Sequence, residues 1–344
     1  MDLVNQTPFP ASLSLSKVLG SPDVRAGLLI AKASFHVDGQ GQVVLSPDPF
    51  GVLAEDEETE LGVLPADTHP REGTELEVML LGAAYAPGGR PVPSMQVSLT
   101  IAHRTWRLAV TGDRHWIGAG PDARPSEPDP FVRMPLGWER AFGGRCDVEL
   151  DPHTVMEVMD PRNPEGRGFD AEALARGFAE HVGVPEGYPR FPLLRRLPNV
   201  EHPEARVESF ADRPEPCSWA PRLVSMIRPT DDPKELERMA RGEPVRMPVG
   251  WLRSAPGMVL PAAPLGTPVR ATGVLPSGRE WSFVLPAFAI HADYVLGERH
   301  GSKPLVAQRL VLLPEESRFY LVFRMDFRMK VDEGMERSFR LRVA

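Results

Sequence analysis

Leu28-Leu29-Ile30-Ala31-Lys32-Ala33-Ser34-Phe35-His36-Val37, followed at once by Asp38-Gly39, is the stretch on which the fold turns. Its apolar residues recur with period two, the spacing that lines one face of a strand, and Asp-Gly suits the turn of a hairpin. The same alternation appears on either side of it, in Ser12 to Leu15, Glu75 to Tyr85, Gln96 to Ile101 and Trp106 to Val110. Ala86-Pro87-Gly88-Gly89 and Gly112-Asp113 punctuate these runs. The last third repeats the pattern in Val269 to Leu275, Glu280 to Leu285, Gln308 to Leu313, Phe319 to Met329 and Ser338 to Val343, with turn cues at Pro276-Ser277-Gly278 and Pro314-Glu315-Glu316.

These runs predict a mainly β fold of antiparallel sandwich or open-barrel modules, with a loop-rich central segment and one or two short helices. The expected division is an N-terminal β module over 1–119, a loop-rich centre over 120–245 and a C-terminal β module over 246–344. That last module is either separate or continuous with the first. Asp170 as N-cap before Ala171-Glu172-Ala173-Leu174 predicts one helix, with Leu174 and Phe178 on one face. Pro233 to Arg241, closed by Gly242, predicts another. The acidic run Glu55 to Glu60 reads as a solvated loop.

Composition agrees. The 344 residues carry 38 prolines and 30 glycines, and Pro cannot donate to a helix or a sheet ladder, so long helices should be scarce. Hydrophobic residues at 42% are enough to build a core. The net charge of −8 argues against nucleic acid as a partner, since phosphate contacts need an excess of Lys and Arg. No apolar stretch approaches a membrane span, and the first ten residues lack the pattern of a secretory leader, so the expected location is cytoplasmic and no membrane partner is expected. Two cysteines, Cys146 and Cys217, are too few for a disulfide framework and fit a reducing compartment.

Four central segments could carry chemistry. In Pro135 to Gly144, Glu139 and Arg140 lie between Trp138 and Phe142, and Gly143-Gly144 let the backbone turn. This reads as an ion pair in a tight loop, or else as Glu139 serving in acid–base work. In Asn163 to Phe169, Gly166 and Gly168 flank Arg167; the loop either bonds Arg167 to backbone carbonyls or offers amides to an anion. Leu197 to Pro203 holds Asn199, Glu201 and His202, types that could ligate a metal although the nine histidines are scattered, and Cys217 to Arg222 holds Trp219 and Arg222, types that anchor interfaces or cores. No H-x-x-x-H, H-x-H, C-x-x-C or G-x-S-x-G occurs, so the sequence assigns no catalytic residue, no metal site and no cofactor. Arg318, Arg324, Arg328, Arg340 and Arg342, interleaved with Phe and Leu, read as the polar face of an amphipathic sheet.

Taken in order, these segments resemble a bacterial family, domain of unknown function 2169. The marks are Lys32-Ala-Ser-Phe35, Ala84 to Arg90, Gly112-Asp113-Arg114-His-Trp116, Pro135 to Gly144, Asn163 to Phe169 and Leu197 to Glu201. The chain departs from the family at Pro216 to Arg222, which lacks the Gly-Phe-Gly usual before its Trp-x-Pro-Arg, at Arg253 to Pro256, and at Phe323-Arg324 in place of Trp-Arg. Members of this family are often encoded near type VI secretion genes. The resemblance therefore implies a non-enzymatic adaptor or chaperone whose partners are a secreted effector and PAAR or spike components. Two alternatives stand beside it: a hydrolase working through Glu139, Asp160 or Glu201, and a carbohydrate-binding or structural β module.

Overall fold

A computed structural model describes residues 1–18, 21–60, 62–68, 73–118, 122–169, 183–188, 190, 196–209, 211–222, 252–330 and 337–344. The helices expected at 170–178 and 233–241 lie outside them. Among the described residues the chain is mainly β, with several sheets, no closed barrel and only short 3-10 turns as helical segments. Strands are numbered in chain order.

The largest sheet has seven strands. It runs from β19 (Val259–Leu260) through β7 (Leu76–Leu80), β24 (Val306–Leu313), β25 (Arg318–Lys330) and β3 (Ser21–Val37) to β2 (Ala11–Val18), and β4 (Val43–Leu45) pairs with the end of β3. A five-stranded sheet follows the order β18 (Val200–Glu201), β10 (Arg104–Thr111), β9 (Ser94–Ile101), β20 (Pro268–Thr272) and β21 (Trp281–Val284). A third has the order β1 (Asp2–Asn5), β26 (Arg337–Val343), β22 (Ile290–Leu296) and β23 (Arg299–Pro304). Two-stranded pairs complete the set: β5 (Glu57–Thr59) with β6 (Gly62–Leu64), β8 (Ala83–Tyr85) with β13 (Arg133–Pro135), β11 (Trp116–Ile117) with β12 (Arg124–Pro125), β14 (Phe142–Gly143) with β17 (Arg167–Gly168), and β15 (Arg145–Asp151) with β16 (Thr154–Met159). Most ladders are antiparallel; β7 with β24, β1 with β26 and β14 with β17 are parallel.

Strands from the first and last thirds of the chain share all three large sheets. β3 lies along β25 from Arg318 opposite His36 to Lys330 opposite Val24. The two faces of β3 explain its sequence. Leu29, Ala31, Ala33 and Phe35 enter a core shared with Val97, Leu99, Phe283 and Phe339 of the other sheets. Phe319 stacks between Phe35 and Phe283, with ring centroids 5.1 and 4.6 Å away, and so ties the seven-stranded sheet to the five-stranded one. On the opposite face Ile30 joins Met79, Val311, Tyr320 and Val322 beneath the 50–64 loop. Where the sheet is buried on both sides, in β7, β24 and the first half of β25, the strands read as nearly continuous apolar runs.

Three local expectations are altered. At the β3–β4 turn the left-handed residue is Gly41 (φ 81°) rather than Gly39, and Asp38 fixes the loop by accepting the N–H groups of Gln40 and Gln42, both at 2.8 Å. The centre is not loops alone, since β15 and β16 form a hairpin whose Cys146, Val148 and Leu150 pack against Phe169. Nor do the C-terminal arginines line one solvated face. Arg324 is buried on the second face of the large sheet, while Arg328 and Arg340 are exposed.

Candidate functional site

The central segments converge. Trp138, Glu139 and Arg140 form a 3-10 turn, and the buried Trp138 indole N–H donates to the Ala220 carbonyl at 2.8 Å. Trp219 is itself buried, and its carbonyl accepts the Leu80 N–H at the end of β7. The segment ending in Arg222 therefore pins the first motif to the large sheet. Arg222 donates to the Leu252 carbonyl at 2.8 Å.

Asn163 is fully buried, and its amide donates to the carbonyls of Trp138 (2.8 Å) and Phe142 (2.9 Å). Its carbonyl accepts the Gly144 N–H at 2.8 Å, which draws the two loops into contact. That contact dictates the glycines. Gly143 has φ 134°, and a side chain there would run into the Asn163 carbonyl; one at Gly166 would press on the Ala141 and Phe142 carbonyls. The result is the short parallel pairing of Phe142-Gly143 with Arg167-Gly168. Phe142 packs with Trp116, Leu197 and Val207, whereas Phe169 belongs to the β15–β16 cluster.

Asn199 is the hub. Its side-chain oxygen accepts from Arg140 and from Arg167, each at 3.2 Å, and its amide donates to the Thr111 carbonyl and to Asp113, each at 3.0 Å. Arg167 also donates to the Glu139 carbonyl at 2.8 Å, the structural role expected of an arginine between two glycines. Glu139 and Arg140 do not pair with one another: Arg140 meets Asp113 at 3.1 Å. The Glu139 carboxylate folds over Gly137 into a cleft of about 400 Å³ floored by Trp138 and Pro221.

Glu201 lies on the other side of this knot, buried, 2.7 Å from the Arg114 guanidinium and accepting the Val207 N–H at 2.6 Å. Burial pushes its carboxyl above the ordinary range, against the pull of Val207 and Arg114. Asp160 is held by Arg162 at 2.6 Å. The three carboxylates singled out in the sequence thus have three separate surroundings. Among the described residues no group of three or more His, Cys, Asp and Glu is placed to hold a metal.

Beside the knot runs a groove of about 690 Å³ that sequence reasoning did not find. One wall is the edge of β10 from Thr105 to Leu108; Pro216 to Trp219 face it, and Ala255 to Met258 close one end. β18 covers β10 only at Ala109 and Val110, because the chain turns away through the His202 to Ala205 turn. Cys217 lines this groove, its thiol pushed up to about 12 by burial and by the Glu201 carboxylate. A thiol so fully protonated is a poor nucleophile. Its walls fall in segments the sequence did single out, Trp106 to Val110, Leu197 to Pro203 and Cys217 to Arg222, but nothing in their spacing shows that they meet.

A second feature also escaped the sequence. Lys32, with no exposure at all, donates to Asp67 at 2.9 Å and sits 4.2 Å above the Tyr320 ring. Arg309 lies between Asp67 (3.5 Å) and Glu77 (3.4 Å). Arg253 ties this cluster to the acidic run through Asp56 at 2.7 Å, so that run is not merely a solvated loop.

Among the described residues no helix is long and apolar enough to cross a membrane. The chain matches no curated protein and no solved structure. The family described as an uncharacterized protein conserved in bacteria (DUF2169) matches residues 23–324, so the chain belongs to that family.

Proposed function

We propose that this chain is a non-enzymatic adaptor or chaperone that binds a type VI secretion effector, one associated with a PAAR domain, in the cytosol and helps load it onto the secretion spike. The observation that carries this reading is how the motif residues are used. Asn163, Arg167 and Asn199 are committed to bonds between loops, and what those loops leave accessible is a groove along an open strand edge. Such an arrangement supports binding of a protein partner more than turnover of a small substrate. A hydrolase through the central carboxylates would need two of them facing one substrate, whereas Glu201 and Asp160 each have their own arginine. A glycan-binding face would need a row of exposed aromatic rings, and Trp116, Trp138, Trp219 and Trp281 are buried.

The test is co-purification with the product of an effector gene encoded beside this one, together with secretion of that effector after deletion of this gene. The expected result is a stable complex and lost secretion. Unchanged secretion would sink the reading. The Glu139 carboxylate, with no ion-pair partner among the described residues, is the remaining foothold for an enzyme. Hydrolysis of a substrate that Glu139→Gln abolishes would reverse the assignment.

A further inference from the structure

Beyond the two residues that β18 covers, one side of β10 has no strand partner among the described residues. Ala109 pairs with Glu201 and the Thr111 N–H bonds the Asn199 carbonyl, so odd-numbered residues of β10 point their main-chain groups away from β9. Thr105 and Arg107 therefore present two N–H and two C=O groups along the groove, and among the described residues no strand pairs with them. The β23 edge is guarded. β23 ends the third sheet with Arg299-His-Gly-Ser-Lys-Pro304, fully exposed and bearing charge and proline, devices that discourage strand pairing. The β10 edge is instead recessed between walls that include Pro216, Trp219 and Met258.

The walls are fixed in place. The Trp106 indole donates to the Gly257 carbonyl at 2.9 Å and Arg104 to the Val259 carbonyl at 3.1 Å, which hold one end. At the other end the Glu201 carboxylate holds the Val207 N–H and the Glu204 N–H donates to the His202 ring. A slot held open in this way binds without first having to order its own loops. Its charges are also asymmetric: exposed Arg107 lies at one part of the lining and exposed Glu204 at another, and among the described residues neither has an ion-pair partner.

We propose that this groove takes an extended peptide segment of a partner protein, added to β10 as a further strand, with an acidic side chain beside Arg107 and a basic one beside Glu204. The proposal rests on the partner-binding reading above and names its mode. Unsatisfied main-chain groups select another main chain, and the two opposite charges set its side chains.

The experiment uses a display library of random peptides of about twelve residues, selected on the full chain. Enriched peptides are then titrated against wild type, Arg107→Pro and Arg107→Lys. Proline at 107 removes an outward N–H without touching the β9 ladder, so the fold should survive. The expected result is a loss of about 10-fold or more for Arg107→Pro, retention within about 3-fold for Arg107→Lys, and a similar loss when alternate peptide amides are N-methylated. The N-methylated peptides decide the matter should Arg107→Pro fail to fold. Absence of enriched peptides, or equal binding of N-methylated ones, overturns the proposal. So does a wild-type dimer that Arg107→Pro makes monomeric, which would give the edge to a second copy. A full-length effector retained by Arg107→Pro would overturn strand addition and leave the adaptor reading standing. Selected peptides that need the Arg107 N–H, beside an effector that never binds, would do the reverse.

Discussion

Lys32 lies wholly buried beside Asp67, and burial lowers its pKa against the opposing pull of that carboxylate. Removing one partner of such a pair strands the other. Asp67→Ala should cost about 3–5 kcal/mol in urea unfolding, while Lys32→Met with Asp67→Leu should cost much less, because no unpaired charge is left. Cys217 gives a second test. With its pKa near 12, alkylation by iodoacetamide at pH 8 should be about 1,000-fold slower in the folded chain than for an ordinary thiol. The sign of its pH effect follows. The native thiol keeps a proton that the unfolded one releases above its ordinary pKa, so stability falls as pH climbs from about 9 toward 12, and Cys217→Ala should flatten that limb. None of this was legible in the sequence. Lys32 alternates like any outward residue of a strand, and its partner lies 35 positions away.

At the scale of elements, alternation was readable wherever one face is apolar and turn residues flank the run, as in β9 and β10. β15 carries the same signal in Cys146, Val148 and Leu150, but the surrounding Pro and Gly made the segment read as loop. β23 was missed for a physical reason, since every residue of it is exposed and no apolar period exists. The central motifs were visible as residues, while their convergence depends on contacts such as Asn163 to Trp138, 25 positions apart. Asn163→Ala would leave the Phe142 carbonyl without its donor and the Trp138 carbonyl with only the Ala141 N–H, and should cost about 1–3 kcal/mol, seen as a lowered denaturation midpoint. Arg167→Ala should lose stability and solubility before it selectively loses a partner, and Arg167→Lys should not restore it, because a lysine cannot reach the Glu139 carbonyl and Asn199 with the same planar fork. A well-folded, stable Arg167→Ala that had lost only its effector would contradict this.

For the whole molecule, the shared core of the seven- and five-stranded sheets predicts one unfolding transition among the described elements. Phe319→Ala, which empties the place between Phe35 and Phe283, should lower stability by about 3–5 kcal/mol while fluorescence and circular dichroism continue to report a single midpoint. Two separated midpoints would show that the sheets unfold apart.

The pairing of β3 with β25 also sets a timetable for synthesis. β3 leaves the ribosome about 280 residues before the strand that completes it. At roughly 5–20 residues per second that is a wait of about 15–60 s, during which two apolar faces have no final partner. β7, between β19 and β24, waits almost as long. For a chain built this way, depletion of the cell's holding chaperones should lower its yield before any change in its measured stability.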